Sequence, residues 1–271
     1  MTVPFADVGT LLRETAAAVV LPSYRRLAAA DVRHKADGTV VTVVDDRAEA
    51  RLAAGLRALL PGAAVVGEEA ADADATVPDL LSGPGPVWVV DPLDGTANFV
   101  AGTGPFAMLV ALCRAGVAEA AWLYDPPADR LWTAVRGGGA FRDGMPVRVP
   151  GTAGVPRSRL RGAVPGRWLP PPLADRLAGA GFGALLPGLR CAGHEYPALV
   201  AGAQDFALFW RTKPWDHLAG ALLLTEAGGR VAQLDATPYD PRRARPGLLA
   251  AASPAIWQEV AAAADITGGA G

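Results

Sequence analysis

Apolar positions change period several times along the chain. Phe5, Val8, Leu12, Ala16 and Val19 fall on one helical face, which predicts an amphipathic helix over 4–30. A Lys35-Ala36-Asp37-Gly38 turn leads into the β-branched run 39–44, which reads as a short hairpin. Ala48, Leu52, Leu56 and Leu59 return to helical spacing, and Pro61-Gly62 ends that helix. Short apolar strands follow at 63–66, running into Gly67-Glu68-Glu69, and at 87–90, ending in Asp91. The polar stretch 70–84 between them reads as a loop with one helical turn at most. Strand-like runs within 106–149, split by turn signals such as Asp125-Pro126 and Asp143-Gly144, predict an antiparallel sheet. The Pro/Gly-rich stretch 150–172 is the candidate boundary. Beyond it the pattern predicts helices near 173–180, 194–203, 215–227 and 254–264, and strands at 205–210 and 247–251. The expectation is two mixed α/β halves, 1–150 and 151–271.

Composition narrows the function classes. The 271 residues are 51% hydrophobic, enough for a sizeable core. A net charge of −2 removes the global basic field that a nucleic-acid binder would show. The 32 glycines and 24 prolines have no period, which excludes collagen and repeat architectures. Cys113 and Cys191 lie far apart and outside any metal-spaced pair, so they read as reduced, buried thiols. Asp7, Arg13 and Glu14 interrupt the first twenty residues, which removes a signal-peptide pattern. No window approaches the ~18 apolar residues of a membrane span. The expected location is the cytoplasm.

Candidate chemistry concentrates in Asp91-Pro92-Leu93-Asp94-Gly95-Thr96. An apolar strand delivers Asp91, Pro92 stiffens the turn, and Gly95 permits tight backbone geometry. The two carboxylates can then point the same way, toward the amides of a helix opening at Gly95, where phosphate binds. Average residue usage gives such a string about a few chance occurrences in ten thousand chains of this length. Glu68 and Glu69 also follow a strand, and Trp215-Asp216 opens an apolar helix running to Glu226-Ala227-Gly228-Gly229. Clustered carboxylates repel one another unless cations neutralise them, and an all-oxygen donor set favours Mg²⁺ over Zn²⁺. Helix capping is the alternative role for Asp216.

These segments resemble the inositol monophosphatase family. The resemblance is carried by Lys35-Ala36-Asp37-Gly38 with Val41-Thr42 and Asp45, by Gly67-Glu68-Glu69, by Asp91 through Thr96 with Asn98-Phe99-Val100, and by Trp215-Asp216 through Gly229. Tyr124-Asp125-Pro126 and Gly137 through Phe141 fit its middle sheet. The resemblance implies a layered α-β-α-β-α sandwich of the inositol monophosphatase / fructose-1,6-bisphosphatase type, commonly a homodimer. It implies a Mg²⁺-dependent, lithium-sensitive phosphatase acting on a small phosphorylated metabolite. Glu68, Asp91 and the Leu93 carbonyl would hold one Mg²⁺, and Asp91, Asp94 and Asp216 a second; the family also knows a third, weaker ion near Glu68. Asp45 and Thr96 would orient the attacking water, with Glu68 also in the catalytic set, and the Gly95 and Thr96 amides would hold the phosphate.

Three positions depart from the family pattern. Phe209 stands where inositol-specific members usually carry a Glu, Ala101 where a His usually follows the Asn-Phe-Val run, and His194-Glu195 where small residues follow the glycine. His194 and Glu195 are therefore candidate substrate contacts, although a first helical turn explains Glu195 equally well. The same chemistry on a nucleotide 3′-phosphate, a sugar bisphosphate or histidinol phosphate stays open, as does a non-catalytic metal- or phosphate-binding regulator. Glu69 reads as a solvated loop residue, and Arg211 and Lys213 as solvent cover for a strand end. Asp46, competing with Asp45, would point the other way if 43–46 are extended.

Overall fold

The computed structural model describes residues 3–151, 154–166, 168–243 and 245–264. Residues 152, 153 and 167 of the boundary stretch lie outside the described residues.

The chain opens with α1 (Phe5–Thr15), a π-helical turn (Ala16–Val20) and α2 (Leu21–Ser23). The helix expected to reach residue 30 thus stops at Ser23. Pro22 has no amide to donate to the preceding turn, and a π turn just before it is the usual accommodation of a broken ladder. Tyr24 is extended and packs its ring 4.8 Å from Phe106 and 5.4 Å from Phe99. The hairpin forms from β1 (Val32–His34) and β2 (Val40–Thr42), paired antiparallel. Its second strand ends at Thr42 rather than 44, because a capping box starts α3 (Val43–Leu59) there. Thr42 Oγ1 accepts from the Val44 amide, and Asp45 accepts from the Thr42 amide. Local capping overrides the strand preference of Val43 and Val44.

β3 (Ala64–Gly67) leads directly into α4 (Glu68–Ala73), followed by a 3₁₀ segment over Val77–Ser82, so 70–84 is more ordered than expected. β4 (Pro86–Asp94) precedes α5 (Thr96–Ala101). Then come β5 (Ala107–Arg114), β6 (Val117–Asp125), β7 (Arg130–Val135), β8 (Gly139–Arg142) and β9 (Met145–Val147). Strands β3 to β9 form a seven-stranded sheet in sequence order, antiparallel except for the β3–β4 pair.

The rest comprises β10 (Arg161–Val164), α6 (Pro171–Gly179), β11 (Ala184–Pro187), α7 (Ala192–Val200), β12 (Phe206–Phe209), α8 (Pro214–Glu226), β13 (Arg230–Gln233), β14 (Leu248–Ala251) and α9 (Pro254–Ala263). A five-stranded sheet runs β11-β10-β12-β14-β13. Sequence reading missed β10, β11 and β13. β10 carries Gly162, where a Cβ would run into the Phe206 ring, so its glycine marks close packing rather than a turn. β11 tolerates Pro187 because it is an edge strand.

Strand alternation builds the layers. Val87 and Val89 face one core with Leu109 and Ala111, while Trp88 and Val90 face another with Met108 and Val110. The second core is closed by Val8 and Leu12 of α1 and Leu52 and Leu56 of α3. The first is closed by Tyr196 and Leu199 of α7 and Leu222 and Leu223 of α8, and it continues to Ala163, Ala207 and Ala250 of the five-stranded sheet. On that sheet's far face Phe206, Leu208 and Leu249 meet Leu173 and Leu177 of α6 and Ile256 and Trp257 of α9. The order is helix, sheet, helix, sheet, helix, which is the expected sandwich.

Helix α8 lies between two sheets, and it is apolar around its whole circumference from Leu218 to Leu224. Gly220 lets Tyr196 of α7 lie against it; an added Cβ would overlap that buried ring. Gly220→Ala is expected to lower stability by about 1–3 kcal/mol through overpacking, exceeding the ~1 kcal/mol helix-propensity gain. A denaturation midpoint at or above wild type would contradict this packing.

Candidate active site

Parallel pairing of β3 with β4 puts Gly67 opposite Val90. The next residue on each strand, Glu68 and Asp91, therefore leave the sheet at one level. Between β4 and β5 the register slips from Asp91↔Leu109 to Asp94↔Ala107, so β4 carries one extra residue at Pro92-Leu93. Such a bulge re-aims side chains. Strand β4 therefore runs through to Asp94 instead of ending at Asp91. Gly95 then turns with φ 86°, and a Cβ there would come 2.9 Å from the Pro105 carbonyl oxygen. Asn98 makes the first bond of the new turn, to the Gly95 carbonyl, leaving the Gly95 and Thr96 amides ahead of the ladder.

Asp91 is 2% exposed and accepts from the Leu93 amide at 3.0 Å. Asp94 Oδ2 accepts from the Gly193 amide at 2.5 Å and the Cys191 thiol at 3.3 Å. Asp216 lies in the first turn of α8 behind Pro214, and no side chain caps that helix, so the capping alternative does not apply. Burial raises the pKa of Asp91 and Asp216 well above the carboxylate range, and the charge of Glu68 adds to both. Asp94 is pushed up to about 7, again chiefly by burial. Glu68, Asp91, Asp94 and Asp216 thus form one repelling group. Among the described residues, no three His, Cys, Asp or Glu side chains are gathered to hold a metal as they stand. Their oxygens are turned to other partners: Glu68 to Lys35 Nζ at 2.9 Å, Asp94 to α7, Asp91 to its own turn.

Asp45 sits beside this group. Its Oδ2 accepts from the Thr42 amide at 2.8 Å and the Thr42 hydroxyl at 2.6 Å, and its Oδ1 is 3.0 Å from Thr96 Oγ1. Burial pushes its pKa up to about 6 against those hydrogen bonds. Thr96 Oγ1 also lies 2.9 Å from the Leu93 carbonyl, so its single proton has two acceptors. Asp46 is helical rather than extended and pairs outward with Arg33.

Glu49 and the partners of Lys35 and Glu69 were not visible in the sequence. Glu49, four residues beyond Asp45 on α3, accepts from the Glu69 amide at 2.8 Å and the Ala70 amide at 2.9 Å. It thereby seats α4 and Glu68. Gly67 leaves room for that carboxylate. Glu69 is not solvated: it pairs with Lys35 at 3.1 Å, and burial with the Glu68 charge raises its pKa to about 8. Lys35 Nζ also reaches Asp72 at 3.2 Å. Burial works to lower its pKa, but Glu68 and Glu69 outweigh that and hold it above its ordinary value. The signal for Lys35 was its place in the hairpin motif, not its partners.

The two candidate substrate contacts face other partners. Glu195 is buried, accepting from the Leu189 amide and from Gln204 Nε2 at 2.6 Å, so it braces the turn before α7. His194 Nε2 lies 3.2 Å from the Phe106 carbonyl and 3.8 Å from Asp125. Phe209 stacks on Tyr196 at 5.2 Å and lies 4.6 Å from the His217 ring. His217 donates from Nε2 to the Arg211 carbonyl and accepts from Tyr196 at Nδ1, and burial lowers its pKa to about 4. It is a structural group holding the start of α8.

An open crevice of about 130 Å³ enters this region, lined by Lys35, Asp37, Glu68, Arg211, Lys213 and Asp216 among others. Arg211 and Lys213, read from sequence as solvent cover, therefore stand at its mouth. Arg211 bridges to Asp37 at 2.5 Å, joining the hairpin tip to the far half of the chain.

The same arrangement of sequence and layers occurs in known proteins. The chain matches the inositol monophosphatase family profile over residues 3–266. It is 35% identical over 242 residues to Nus factor SuhB of Pseudomonas aeruginosa, covering 84% of each chain. It is 38% identical over 161 residues to an inositol-1-monophosphatase of Mesorhizobium japonicum, covering 55% of this chain and 57% of that one. Inositol monophosphatase II of Staphylococcus aureus, in a structure with bound inositol monophosphate, superposes with TM-score 0.78 at 23% identity over 95% and 92% of the two chains. A second structure of it, with bound 2′AMP, gives TM-score 0.78 at 24% identity over 95% and 91%. The chain belongs to the inositol monophosphatase family, and its five layers are that family's fold.

Proposed function

We propose that this phosphatase-family chain is a Mg²⁺-dependent phosphomonoesterase acting on a small phosphorylated metabolite. The observation that carries the reading is the group Glu68, Asp91, Asp94 and Asp216, in which the Glu68 charge acts on a buried Asp91 and on the half-buried Asp94 and Asp216, and the pKa of each of these three aspartates is raised. A fold keeps such a group when a cation neutralises it, and its donors are all oxygen, which fits a hard divalent ion. Glu68, Asp91, the Leu93 carbonyl, Asp94 and Asp216 would hold two Mg²⁺ ions, with a third near Glu68 as a weaker addition. When bound, such ions activate water and neutralise phosphate charge.

The chain's own groups then have definite tasks. With the Leu93 carbonyl committed to a cation, the Thr96 hydroxyl donates to Asp45 Oδ1 and its oxygen accepts from the attacking water. The proton passes through Thr96 Oγ1 to the Asp45 carboxylate, whose burial raises its affinity for a proton. The Gly95 and Thr96 amides face the phosphate oxygens. The small, polar crevice suits a compact ester. The Staphylococcus aureus relative was solved with a polyol phosphate and with a nucleotide phosphate, so this fold admits either kind. The division near residue 150 and the cytoplasmic location, both read from the sequence pattern, go with the reading, as does the homodimer that the family resemblance implies.

Thr96→Val tests it. On inositol 1-phosphate, kcat is expected to fall about 10²-fold with KM little changed. A kcat within twofold of wild type would remove Thr96 and Asp45 from the mechanism. A second reading, a regulatory role with or without turnover, is favoured by the Nus factor relatives.

A further inference from the structure

We infer that the ester this site prefers carries a second anionic group, a phosphate or carboxylate held by Lys213 and Arg211 at the crevice mouth. The inference rests on the phosphomonoesterase reading and concerns which ester that site selects.

The crevice brings Lys35, Arg211 and Lys213 together with Asp37, Glu68, Asp72 and Asp216. Their pairing is uneven. Lys35 is spent on Glu68, Glu69 and Asp72, and its side chain is only 9% exposed. Arg211 bridges to Asp37. Lys213 is exposed and, among the described residues, has no carboxylate within ion-pair distance. Among the described residues Asp216 has no ion pair either; the Arg211 and Lys213 charges act on it from a greater distance, and the proposed chemistry commits it to a cation. With Asp216 so committed, Lys213 is a crevice cation with no ion-paired carboxylate among the described residues.

Both cations are also held in place. Lys213 Nζ sits over the Trp215 ring at 5.4 Å, and the Arg211 guanidinium over the Trp168 ring at 5.4 Å. The Arg211 backbone is fixed by His217. Stacking leaves the outward N–H groups free to donate to oxygen. Arg211 can exchange its exposed bridge to Asp37 for a ligand oxygen at small cost, since half-exposed ion pairs contribute about 1 kcal/mol or less. Lys213 stands just before α8, three residues ahead of Asp216, and both line the same crevice. Phe209, on the strand leading here, brings no carboxylate to repel a second anion.

Matched esters test the inference: adenosine 3′-phosphate against adenosine 3′,5′-bisphosphate, and inositol 1-phosphate against inositol 1,4-bisphosphate. Wild type is expected to favour the bis-anionic member of at least one pair by tenfold or more in kcat/KM. Lys213→Gln and Arg211→Gln are expected to reduce that ratio at least fivefold, through KM. Calorimetric binding of the same esters to the Mg²⁺-loaded protein reads the preference without turnover. No preference in either pair, or a preference unchanged in both variants, overturns the inference. Hydrolysis of the mono-anionic esters alone leaves the phosphomonoesterase reading standing. Selective binding without hydrolysis supports the clamp and removes the catalytic reading instead.

Discussion

Asp91→Asn is expected to lose phosphate release by about 10³-fold or more while the fold survives. Asp91 is the residue most deeply shared in the site, buried at the bulge with Glu68, Asp94 and Asp216 all acting on its charge. Asparagine keeps the shape and an oxygen for the Leu93 amide, so the turn has no reason to open. It removes the charge that a pair of cations would share. Lewis-acid stabilisation of several kcal/mol corresponds to about three decades of rate. In chelator, the variant is expected to melt at or above the wild-type temperature, because one of four repelling carboxylates is gone. Circular dichroism melting alongside a phosphate assay checks both parts. Turnover within tenfold of wild type would remove Asp91 from the metal site.

Mg²⁺ itself is expected to stabilise the wild-type protein strongly. At a hundredfold excess over Kd a ligand of the native state adds about 2.7 kcal/mol. For a chain of this size that is a rise of about 5–10 °C in Tm. The gain has a structural origin here: carboxylates now turned to Lys35 and to the Gly193 amide of α7 would meet their countercharge. Asp91→Asn should show less than half the rise. Equal shifts in both proteins, read by scanning calorimetry, would point to binding elsewhere.

The parts legible in the sequence were those encoded by local pattern. The Val87–Val90 run followed by Asp91 and Gly95 announced a strand, a turn and paired acids, and the turn needs that glycine's φ of 86°. The apolar stretch after Trp215 announced a buried helix. What was not legible depended on distant partners. No local signal says that β3 pairs parallel to β4, yet that pairing sets Glu68 level with Asp91. Glu49 looks like an ordinary helix-surface acid until Gly67 and the start of α4 lie against it. Glu195 has two readings in the sequence, substrate contact or first-turn helix residue, and its bonds from Gln204 and the Leu189 amide come from partners that no local pattern announces. Val43 and Val44 were misassigned because strand preference is weak against a complete capping box. Arg211 and Lys213 follow a strand in sequence, and only the meeting of hairpin tip and α8 turns them into crevice walls.

The measurement that tests the central claim most directly is phosphate release from a panel of small esters, with Mg²⁺, with chelator, and with Mg²⁺ plus Li⁺. The panel holds inositol 1-phosphate, histidinol phosphate, fructose 1,6-bisphosphate and adenosine 3′,5′-bisphosphate. The account predicts release from at least one of them that requires Mg²⁺, stops with chelator and is slowed by Li⁺. Release that persists undiminished in chelator, or none from any ester while Mg²⁺ is shown to bind, would contradict it.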